Sequence, residues 1–169
     1  MTNIDKITID RIEKAHPKVR ESLMQEYAEI SAQLPKGCRL RFAYVYRTPE
    51  EQAKLFKQRP KVTNANAWQS IHNYGLAFDI VLLYDNDGNG TFEEASWSLK
   101  KDINLDKTPE WMQVINYFKS KGWVWGGDWK SFKDAPHFEK SFGLDWRKMK
   151  ALLDAGKFTT ENGIKYINL

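Results

Sequence analysis

The sequence has little of what defines several protein classes. It contains one cysteine, Cys38, which excludes a framework of intrachain disulfides and any cysteine-based zinc cluster. Its longest uninterrupted apolar run, residues 80–84, is far shorter than the roughly 20 residues that a membrane-spanning helix needs. Residues 1–16 lack the apolar stretch of a secretory signal peptide, so we expect synthesis in the cytoplasm.

The charge balance is mildly basic, with 26 Lys and Arg residues against 22 Asp and Glu residues and a net charge of +4. This excess suits an anionic polymer or a membrane surface as partner, but it is too small and too dispersed to indicate nucleic acid. Hydrophobic residues make up 41% of the 169 residues, which excludes intrinsic disorder. We therefore expect one domain over residues 1–169, with a C-terminal appendage at about 143–169.

Helix and strand signals in mixed order predict an α+β fold. Apolar residues three and four apart predict a helix over residues 17–34, with His16 before it as a capping or surface residue. Alternation over residues 39–46 predicts a strand with Tyr44 and Tyr46 on the same face as Leu40 and Phe42. The remaining elements are a capped helix at 48–58, a central strand at 76–84, helices at 108–121 and 145–155, and short strands near 123–125 and 137–139.

Asp79 interrupts a strand that is otherwise suited to complete burial. Because a buried unpaired carboxylate is costly, Asp79 should be paired or should bind a cation. His72 precedes it, and Gly75 between them allows a turn that brings both side chains to the same end of the strand. On these two residues alone, a salt-bridged aspartate beside an ordinary hydrogen-bonded histidine is the alternative.

A second unusual segment, residues 134–139, follows a stretch rich in tryptophan and glycine. Two histidines and one carboxylate, with a fourth position left for water, form the ligand set of a catalytic zinc ion. His72, Asp79 and His137 supply that set. Asp134 then remains as a carboxylate near the metal, in the role of a general base that acts on the water.

Residues 85–90 form an obvious turn that also resembles a calcium loop. Asp85, Asp87 and Asn89 have the spacing of the first half of an EF-hand loop, but its twelfth position is Ser96 and not the bidentate glutamate. The pattern therefore leaves a plain turn and weak Ca²⁺ binding as alternatives.

Several separated segments together resemble one enzyme family. Residues 70–79 read SIHNYGLAFD and match the S-x-H-x-x-G-x-A-x-D signature of the LAS-type zinc peptidases of the M15 family, and DAPH at 134–137 matches their second motif. This group includes D-Ala-D-Ala carboxypeptidases and phage L-alanyl-D-glutamate endopeptidases. Further segments are similar to the endopeptidase branch, namely 46–52, 67–70, 125–129, 142–144 and 166–168.

The resemblance implies a single small domain of the hedgehog/DD-peptidase type, with an antiparallel sheet flanked by helices. It places the ligands of one Zn²⁺ ion at His72, Asp79 and His137. It places the catalytic acidic residue at Asp134, where many members have glutamate. Because aspartate reaches less far, Glu139 and Asp128 are reserve candidates, and Glu139 could instead orient a metal ligand.

The resemblance also implies contacts with the substrate. Arg47 matches an arginine that binds a substrate carboxylate or stabilises negative charge on the substrate, and a guanidinium suits both tasks. Ser70 and Gln52 match positions that could hydrogen-bond the substrate, although such residues often bond to the local backbone instead. Trp129, in a glycine-rich loop, is predicted to line a substrate groove.

The implied function is zinc-dependent hydrolysis of the peptidoglycan stem peptide, at the L-alanyl-D-glutamate bond. With no signal peptide and no separate wall-binding domain, we expect a monomeric phage or prophage endolysin. It would be made in the cytoplasm of the bacterial host and would act on the cell wall after release, in host cell lysis. The alternatives are a D-Ala-D-Ala carboxypeptidase or dipeptidase with the same site, and a non-catalytic wall-binding module that contains zinc.

Overall fold

The computed structural model describes residues 3–169. Residues 1 and 2, which belong to the predicted single domain and to the segment searched for a signal peptide, lie outside the described residues. Within the described residues, no helix combines the length and the apolarity needed to cross a membrane. The helices are α1 (Lys6–Ile12), α2 (Pro17–Gln33), α3 (Pro49–Lys57), α4 (Glu110–Ser120) and α5 (Trp146–Asp154), with short 3₁₀ helices at Ile71–Tyr74 and Gly126–Asp128. The strands are β1 (Cys38–Tyr44), β2 (Ala77–Tyr84), β3 (Glu94–Ser96), β4 (Val124–Trp125), β5 (His137–Glu139), β6 (Phe158–Glu161) and β7 (Ile164–Ile167).

The main sheet is antiparallel and follows the order β1-β2-β5-β4, with β3 also paired to β2. Strand β2 is central, because β1 runs along one side of it while β3 and β5 pair with its two ends on the other side. Strands β6 and β7 form a separate hairpin. The α+β prediction and the predicted central strand are therefore confirmed.

Aromatic side chains from three neighbouring strands form the centre of the core. Phe78 stacks on Phe42 at 4.3 Å and on Phe138 at 5.1 Å between ring centroids, and Phe118 of α4 packs edge-on against Phe78 at 4.8 Å. All four rings are fully buried, which stabilises the fold by roughly 1.5–3 kcal/mol for each. Because side chains alternate along a strand, the residues that follow or precede these phenylalanines point to the opposite face of the sheet.

Strand β1 contains a β-bulge that changes the direction of its later side chains. Phe42 pairs with Ile80, whereas Tyr44 pairs with the adjacent Asp79, so one extra residue lies between the two β1 positions. The prediction that Tyr44 and Tyr46 share the core face of this strand is therefore wrong. Tyr44 is 51% exposed, because an inserted residue shifts the alternation by one position.

Side chains from α1, α2 and the N-terminal segment cover the free edge of β1. Strand edges expose unpaired backbone groups, and here hydrogen bonds from outside the sheet occupy several of them. Thr8 and Arg11 bind the backbone of Phe42, Tyr27 binds that of Leu40, and Asn3 binds that of Cys38. The covering helix α1 was not assigned from the sequence.

The C-terminal part of the chain packs onto the start of α2. Glu161 forms a salt bridge with Arg20 at 2.7 Å, and the carbonyl oxygen of Ile167 lies 2.8 Å from His16 Nε2. His16 Nδ1 accepts a hydrogen bond from the backbone N–H of Lys18 at 3.1 Å. The predicted capping role of His16 is therefore confirmed, and the same ring ties the β6–β7 hairpin to α2.

Candidate active site

Three predicted ligand residues converge at one end of β2. Asp79 lies in β2 and faces its cross-strand partner His137 in β5, while His72 lies in the 3₁₀ helix that precedes β2. Gly75 ends that helix with φ at 68°, in the left-handed region. A Cβ atom at this position would come within 2.7 Å of the backbone nitrogen of His16, so glycine is needed both for the turn and for the close approach.

One carboxylate oxygen is shared between the two histidines. Asp79 Oδ1 lies 3.2 Å from His72 Nε2 and 3.0 Å from His137 Nδ1. Atoms that bind one ion tetrahedrally at about 2.0–2.1 Å lie about 3.3 Å apart, so these separations are close to those of a metal site. The two nitrogens and the carboxylate oxygen all fall within 4.8 Å of one another. Their type and spacing fit a divalent metal ion.

The remaining nitrogen of each imidazole ring is held by an acceptor. His72 Nδ1 lies 2.8 Å from the carbonyl oxygen of Val45, and His137 Nε2 lies 2.9 Å from Glu139 Oε2. Because each acceptor holds one ring nitrogen, the nitrogens of His72 and His137 that face Asp79 are the ones available to bind a metal ion once they have lost their protons. Glu139 thus occupies the orienting position that the sequence allowed for it.

Burial and neighbouring charges shift the acidities of these groups. Burial would raise the pKa of Asp79, but the charges and hydrogen bonds of His72 and His137 hold it well below its usual range. Burial would lower the pKa of His137, but hydrogen bonds and charges from Asp79 and Glu139 raise it to about 9. Burial, together with the negative charge of Asp79, raises the pKa of Asp134 above its ordinary value. A low carboxylate pKa suits a metal ligand, and a raised one suits a general base.

The loop that carries Asp134 is fixed against the 3₁₀ helix Gly126–Asp128. The backbone N–H of Asp134 donates to the Gly126 carbonyl oxygen at 3.1 Å, and the N–H of His137 donates to the Asp134 carbonyl oxygen at 3.1 Å. A Cβ atom on Gly126 would come within 2.4 Å of that Asp134 oxygen, so only glycine allows this approach. Asp134 therefore lies close enough to the cluster to be affected by its charges and to be partly desolvated, although much of the residue's surface is open to solvent.

Arg47 reaches the cluster from the segment between β1 and α3. Its Nη2 lies 3.9 Å from Asp79 Oδ2, and its guanidinium lies over the ring of Tyr44 at 4.7 Å. Gln52 Oε1 accepts from Arg47 Nη1 at 3.0 Å, while Gln52 Nε2 donates to the Ala65 carbonyl oxygen at 2.7 Å. Since Gln52 is fully buried and bonded at both ends of its amide, it positions Arg47, which differs from the predicted direct contact with substrate.

Of the other predicted site residues, one borders the cluster and two form bonds elsewhere. Trp129 borders the cluster, with its ring centroid 5.2 Å from that of His137. Ser70 Oγ accepts from the backbone N–H of His72 at 3.3 Å, which is the local bond that the sequence left as the alternative to a substrate contact. Asp128 forms a salt bridge with a lysine of α4 and is not part of the cluster.

Tyr44 is a site residue that the sequence did not reveal. As the cross-strand partner of Asp79 in β1, it shares the face of the sheet on which Asp79 and His137 lie. These three residues form a row across three neighbouring strands. The bulge in β1 brings Tyr44 to this face, and the regular alternation of the sequence carries no signal of a bulge.

The predicted calcium residues lie in the loop after β2, at the end of the strand opposite the histidine cluster. The structure brings the carboxylates of Asp85 and Asp87 together with that of Glu93. The side-chain oxygen of Asn89 instead accepts from the backbone N–H of Thr91 at 2.7 Å. The third acidic group at this loop is therefore Glu93, and Asn89 stabilises the turn.

Comparisons with known proteins agree with this site. A family model described as D-alanyl-D-alanine carboxypeptidase, of the M15 peptidases, matches residues 63–140, which include the whole histidine–aspartate cluster. The peptidoglycan L-alanyl-D-glutamate endopeptidase CwlK of Bacillus subtilis (strain 168) is 37% identical over 129 residues, which cover 73% of this chain and 72% of that protein.

A solved structure shares the fold. The crystal structure of the Serratia marcescens L-Ala D-Glu endopeptidase ChiX matches with a TM-score of 0.52 and 18% identity, over 86% of this chain and 92% of that chain. At this identity the likeness concerns the fold, and it agrees with the expected antiparallel sheet flanked by helices. Together with the relative of 37% identity, these findings show that the chain belongs to the M15 family of metallopeptidases.

Proposed function

We propose that this protein is a zinc-dependent hydrolase that cleaves the stem peptide of bacterial peptidoglycan at the L-alanyl-D-glutamate bond. The observation that carries the proposal is the cluster of His72, Asp79 and His137 in a chain that is 37% identical to an endopeptidase of that specificity. The substrate class is supported by the names of both endopeptidase relatives.

Zinc is the proposed metal because of the donor set. Two imidazole nitrogens and one carboxylate oxygen are the protein ligands of a common class of catalytic zinc sites, which keep a further position for water or substrate. The orienting contacts of His72 with a backbone carbonyl and of His137 with Glu139 are those that such sites use to fix the ligand nitrogens. When bound, zinc supplies a Lewis acid for the scissile carbonyl and lowers the pKa of a water toward about 7.

Asp134 is the proposed general base. Its raised pKa, caused by burial and by the negative charge of Asp79, favours a carboxylate that can accept a proton and release it again. In the proposed reaction, Asp134 takes the proton of the attacking water and later delivers it to the leaving amine of the D-glutamyl residue. The close packing of its loop against Gly126, which holds Asp134 beside the cluster, supports this role despite the shorter reach of aspartate.

Arg47 is the proposed electrostatic partner of the substrate. Its guanidinium is held from one side by Gln52 and lies over the ring of Tyr44, so its direction is fixed before substrate binds. A fixed positive charge beside the cluster stabilises negative charge that develops on the scissile carbonyl oxygen, or binds a substrate carboxylate. Trp129 lies beside His137, and we propose that it contacts the bound substrate there.

A second candidate function is removal of a terminal D-alanine. It is favoured by the description of the matching family model, which names a D-alanyl-D-alanine carboxypeptidase. The two reactions use the same metal ligands and differ in where the stem peptide is cut. A non-catalytic wall-binding module with a structural metal is the remaining alternative.

Digestion of purified muropeptides by the zinc-loaded protein, followed by mass spectrometry, separates these candidates. The proposal expects peptides with a new N-terminal D-glutamyl residue, and expects them to disappear with Asp134→Asn. Asp128→Asn is the matched control, because its carboxylate is bound to a lysine of α4 outside the cluster. Release of free D-alanine would instead support the carboxypeptidase, and absence of any cleavage by metal-loaded protein would support the binding module.

We further propose that the protein acts in lysis as a phage or prophage endolysin, reaching the cell wall after release from the cytoplasm. The support is the similarity of its separated motifs to the endopeptidase branch of the family. Expression in a bacterial host with and without a separate pore-forming protein tests this role. Lysis that depends on both the pore and an intact Asp134 is expected, whereas loss of viability without lysis would contradict it.

Binding of Ca²⁺ at the loop after β2 stays a prediction. The carboxylates of Asp85, Asp87 and Glu93 lie within reach of one ion, but they also take part in hydrogen bonds of the turn. If calcium regulates the enzyme, its removal at constant zinc changes activity in the wild type and leaves Asp85→Ala unaffected. Identical behaviour of the two proteins with and without calcium would contradict regulation at this loop.

A further inference from the structure

A groove of about 770 Å³ opens between α1 and α3, beside the histidine–aspartate cluster. Its floor is the segment that follows the bulge in β1, and its walls are the end of α1 and the exposed face of α3. Tyr44 and Arg47 belong both to this floor and to the active site, because Tyr44 pairs with Asp79 and Arg47 reaches its carboxylate. The groove is therefore continuous with the place where the substrate is cut.

The lining of this α1–α3 groove is strongly basic. It contains five cationic side chains and one acidic side chain, so the local excess of positive charge equals that of the entire chain. The single acid, Glu51, is occupied by the capping box of α3, where its carboxylate accepts from the backbone N–H of Thr48 at 2.9 Å. The five cations are Arg11, Lys14, Arg47, Lys54 and Lys57.

Three of these cations are free to meet a ligand. Within residues 3–169, Lys14, Lys54 and Lys57 form no salt bridge and are exposed. At the inner end of the groove, Arg47 Nε is buried and has no hydrogen-bond acceptor among the described residues. A buried donor without a partner is costly, so the Arg47 guanidinium is not fully satisfied by the described residues, and its remaining charge is available at this end of the groove.

The charge of a peptidoglycan stem is distributed unevenly about the L-alanyl-D-glutamate bond. On its amino side, alanine is joined by an amide to a lactyl group on an uncharged sugar. On its carboxyl side, glutamate and the residues that follow carry free carboxylates. Charge complementarity therefore orients the peptide, with its acidic part toward the basic groove and its sugar toward the opposite side.

We propose that the α1–α3 groove binds the carboxylates of the stem peptide on the carboxyl side of the scissile bond, an inference that rests on the proposed function. Lys54 and Lys57 lie three positions apart in α3 and line one wall, while Lys14 lines the other. The groove thus fixes the direction of the substrate and favours stems whose carboxylates are free over stems in which they are amidated.

The test compares two short substrates, N-acetyl-L-Ala-γ-D-Glu-L-Lys with free carboxylates and the same peptide with carboxamides in their place. We expect the wild type to have the higher kcat/KM for the acidic peptide. In the double variant Lys54→Gln/Lys57→Gln, this preference is expected to fall about 2- to 30-fold, as for two partly screened charge contacts. The loss is expected chiefly in KM. The melting temperature should fall only slightly, because both lysines are exposed and contribute to stability mainly through the dipole of the last turn of α3.

The matched control is Lys36→Gln/Lys100→Gln. Both of these lysines are exposed, and they lie near β1 and β3 at the end of β2 opposite Asp79. The control therefore changes the net charge by the same amount as Lys54→Gln/Lys57→Gln but leaves the groove intact. The control is expected to keep the wild-type preference. A wild type without preference, an equal fall for both peptides, or an equal effect in the control would overturn the proposal.

Two further measurements separate this inference from the proposed function. Mapping of the cleaved bond by mass spectrometry tests the function, and equilibrium binding of the two peptides to Asp134→Asn tests the groove without catalysis. Tighter binding of the acidic peptide that is lost in the Lys54→Gln/Lys57→Gln background supports the groove even if cleavage occurs elsewhere. If the double variant binds intact cell walls less well but keeps its preference among short peptides, a wall polyanion is the ligand and the proposal is wrong.

Discussion

Replacement of Glu139 measures how far the active site depends on a residue outside the proposed metal ligands. Glu139 Oε2 lies 2.9 Å from His137 Nε2, which leaves His137 Nδ1 directed at Asp79. Without that acceptor, the ring of His137 can rotate or adopt the other tautomer. The nitrogen offered to the metal is then no longer fixed, although all three ligand residues are present.

The expected magnitude follows from this contact. Loss of an orienting partner of a metal-bound histidine typically lowers metal affinity about 10- to 100-fold, which corresponds to about 1.4–2.7 kcal/mol. Glu139→Ala removes the acceptor and should fall in the upper part of this range. Glu139→Gln keeps a neutral acceptor but loses the charge, so it should fall in the lower part.

Competition between the protein and a chelator of known affinity gives the zinc dissociation constant of each variant. Glu161→Gln is the control, because it also removes one partner of a salt bridge. That salt bridge joins the C-terminal hairpin to Arg20 of α2 and lies outside the cluster. Thermal unfolding of the metal-free proteins checks that the fold is intact. Affinities within twofold of the wild type in both Glu139 variants would refute the assigned orienting role.

Three other predictions follow from contacts described above. Despite burial, neighbouring carboxylates raise the pKa of His137 to about 9 without metal, so metal binding at pH 7 should release a proton and the metal affinity should weaken as pH falls from 9. Calorimetry in two buffers of different ionisation enthalpy measures the number of protons released. Burial lowers the pKa of His16, so as pH falls the unfolded state takes up the proton before the folded state does, and the urea midpoint of unfolding should fall below about pH 6.5. The fall should be smaller in His16→Asn, and an equal dependence of the midpoint on pH in the two proteins would contradict this. Gly126→Ala should displace the Asp134 loop and lower kcat at least about tenfold, with metal affinity less affected; wild-type kcat would show that the loop tolerates a methyl group.

Much of the fold follows from local signals that the sequence states plainly. The capping box at Thr48, the glycine after α4 and the doubly apolar β2 were all interpreted correctly, because each depends on neighbours only a few residues away. The three residues that converge in the cluster were identified for a similar reason. A carboxylate in an apolar strand and two histidines in unusual segments are conspicuous on composition alone.

What the sequence did not reveal depends on contacts between distant segments. The bulge before Tyr44 is defined by the pairing of Tyr44 with Asp79 in the neighbouring strand, and no local sequence pattern in β1 predicts it. The contacts of Gln52 were not foreseen for the same reason, since only the folded chain shows its amide bonded to Arg47 and Ala65. Short elements such as β3 and the β6–β7 hairpin are stabilised by pairing with neighbouring strands, because the intrinsic β-propensity of such short segments is weak.

The covered edge of β1 has a consequence for assembly. An uncovered edge strand is a template onto which a second chain can add a strand, the first step toward sheet-to-sheet aggregation. In this protein, Thr8, Arg11 and Tyr27 already bind backbone groups of β1 that such a chain would use. The α1–α3 groove begins just beyond this covered part of the strand. The protein thereby keeps this edge of its sheet closed to strands from its own copies.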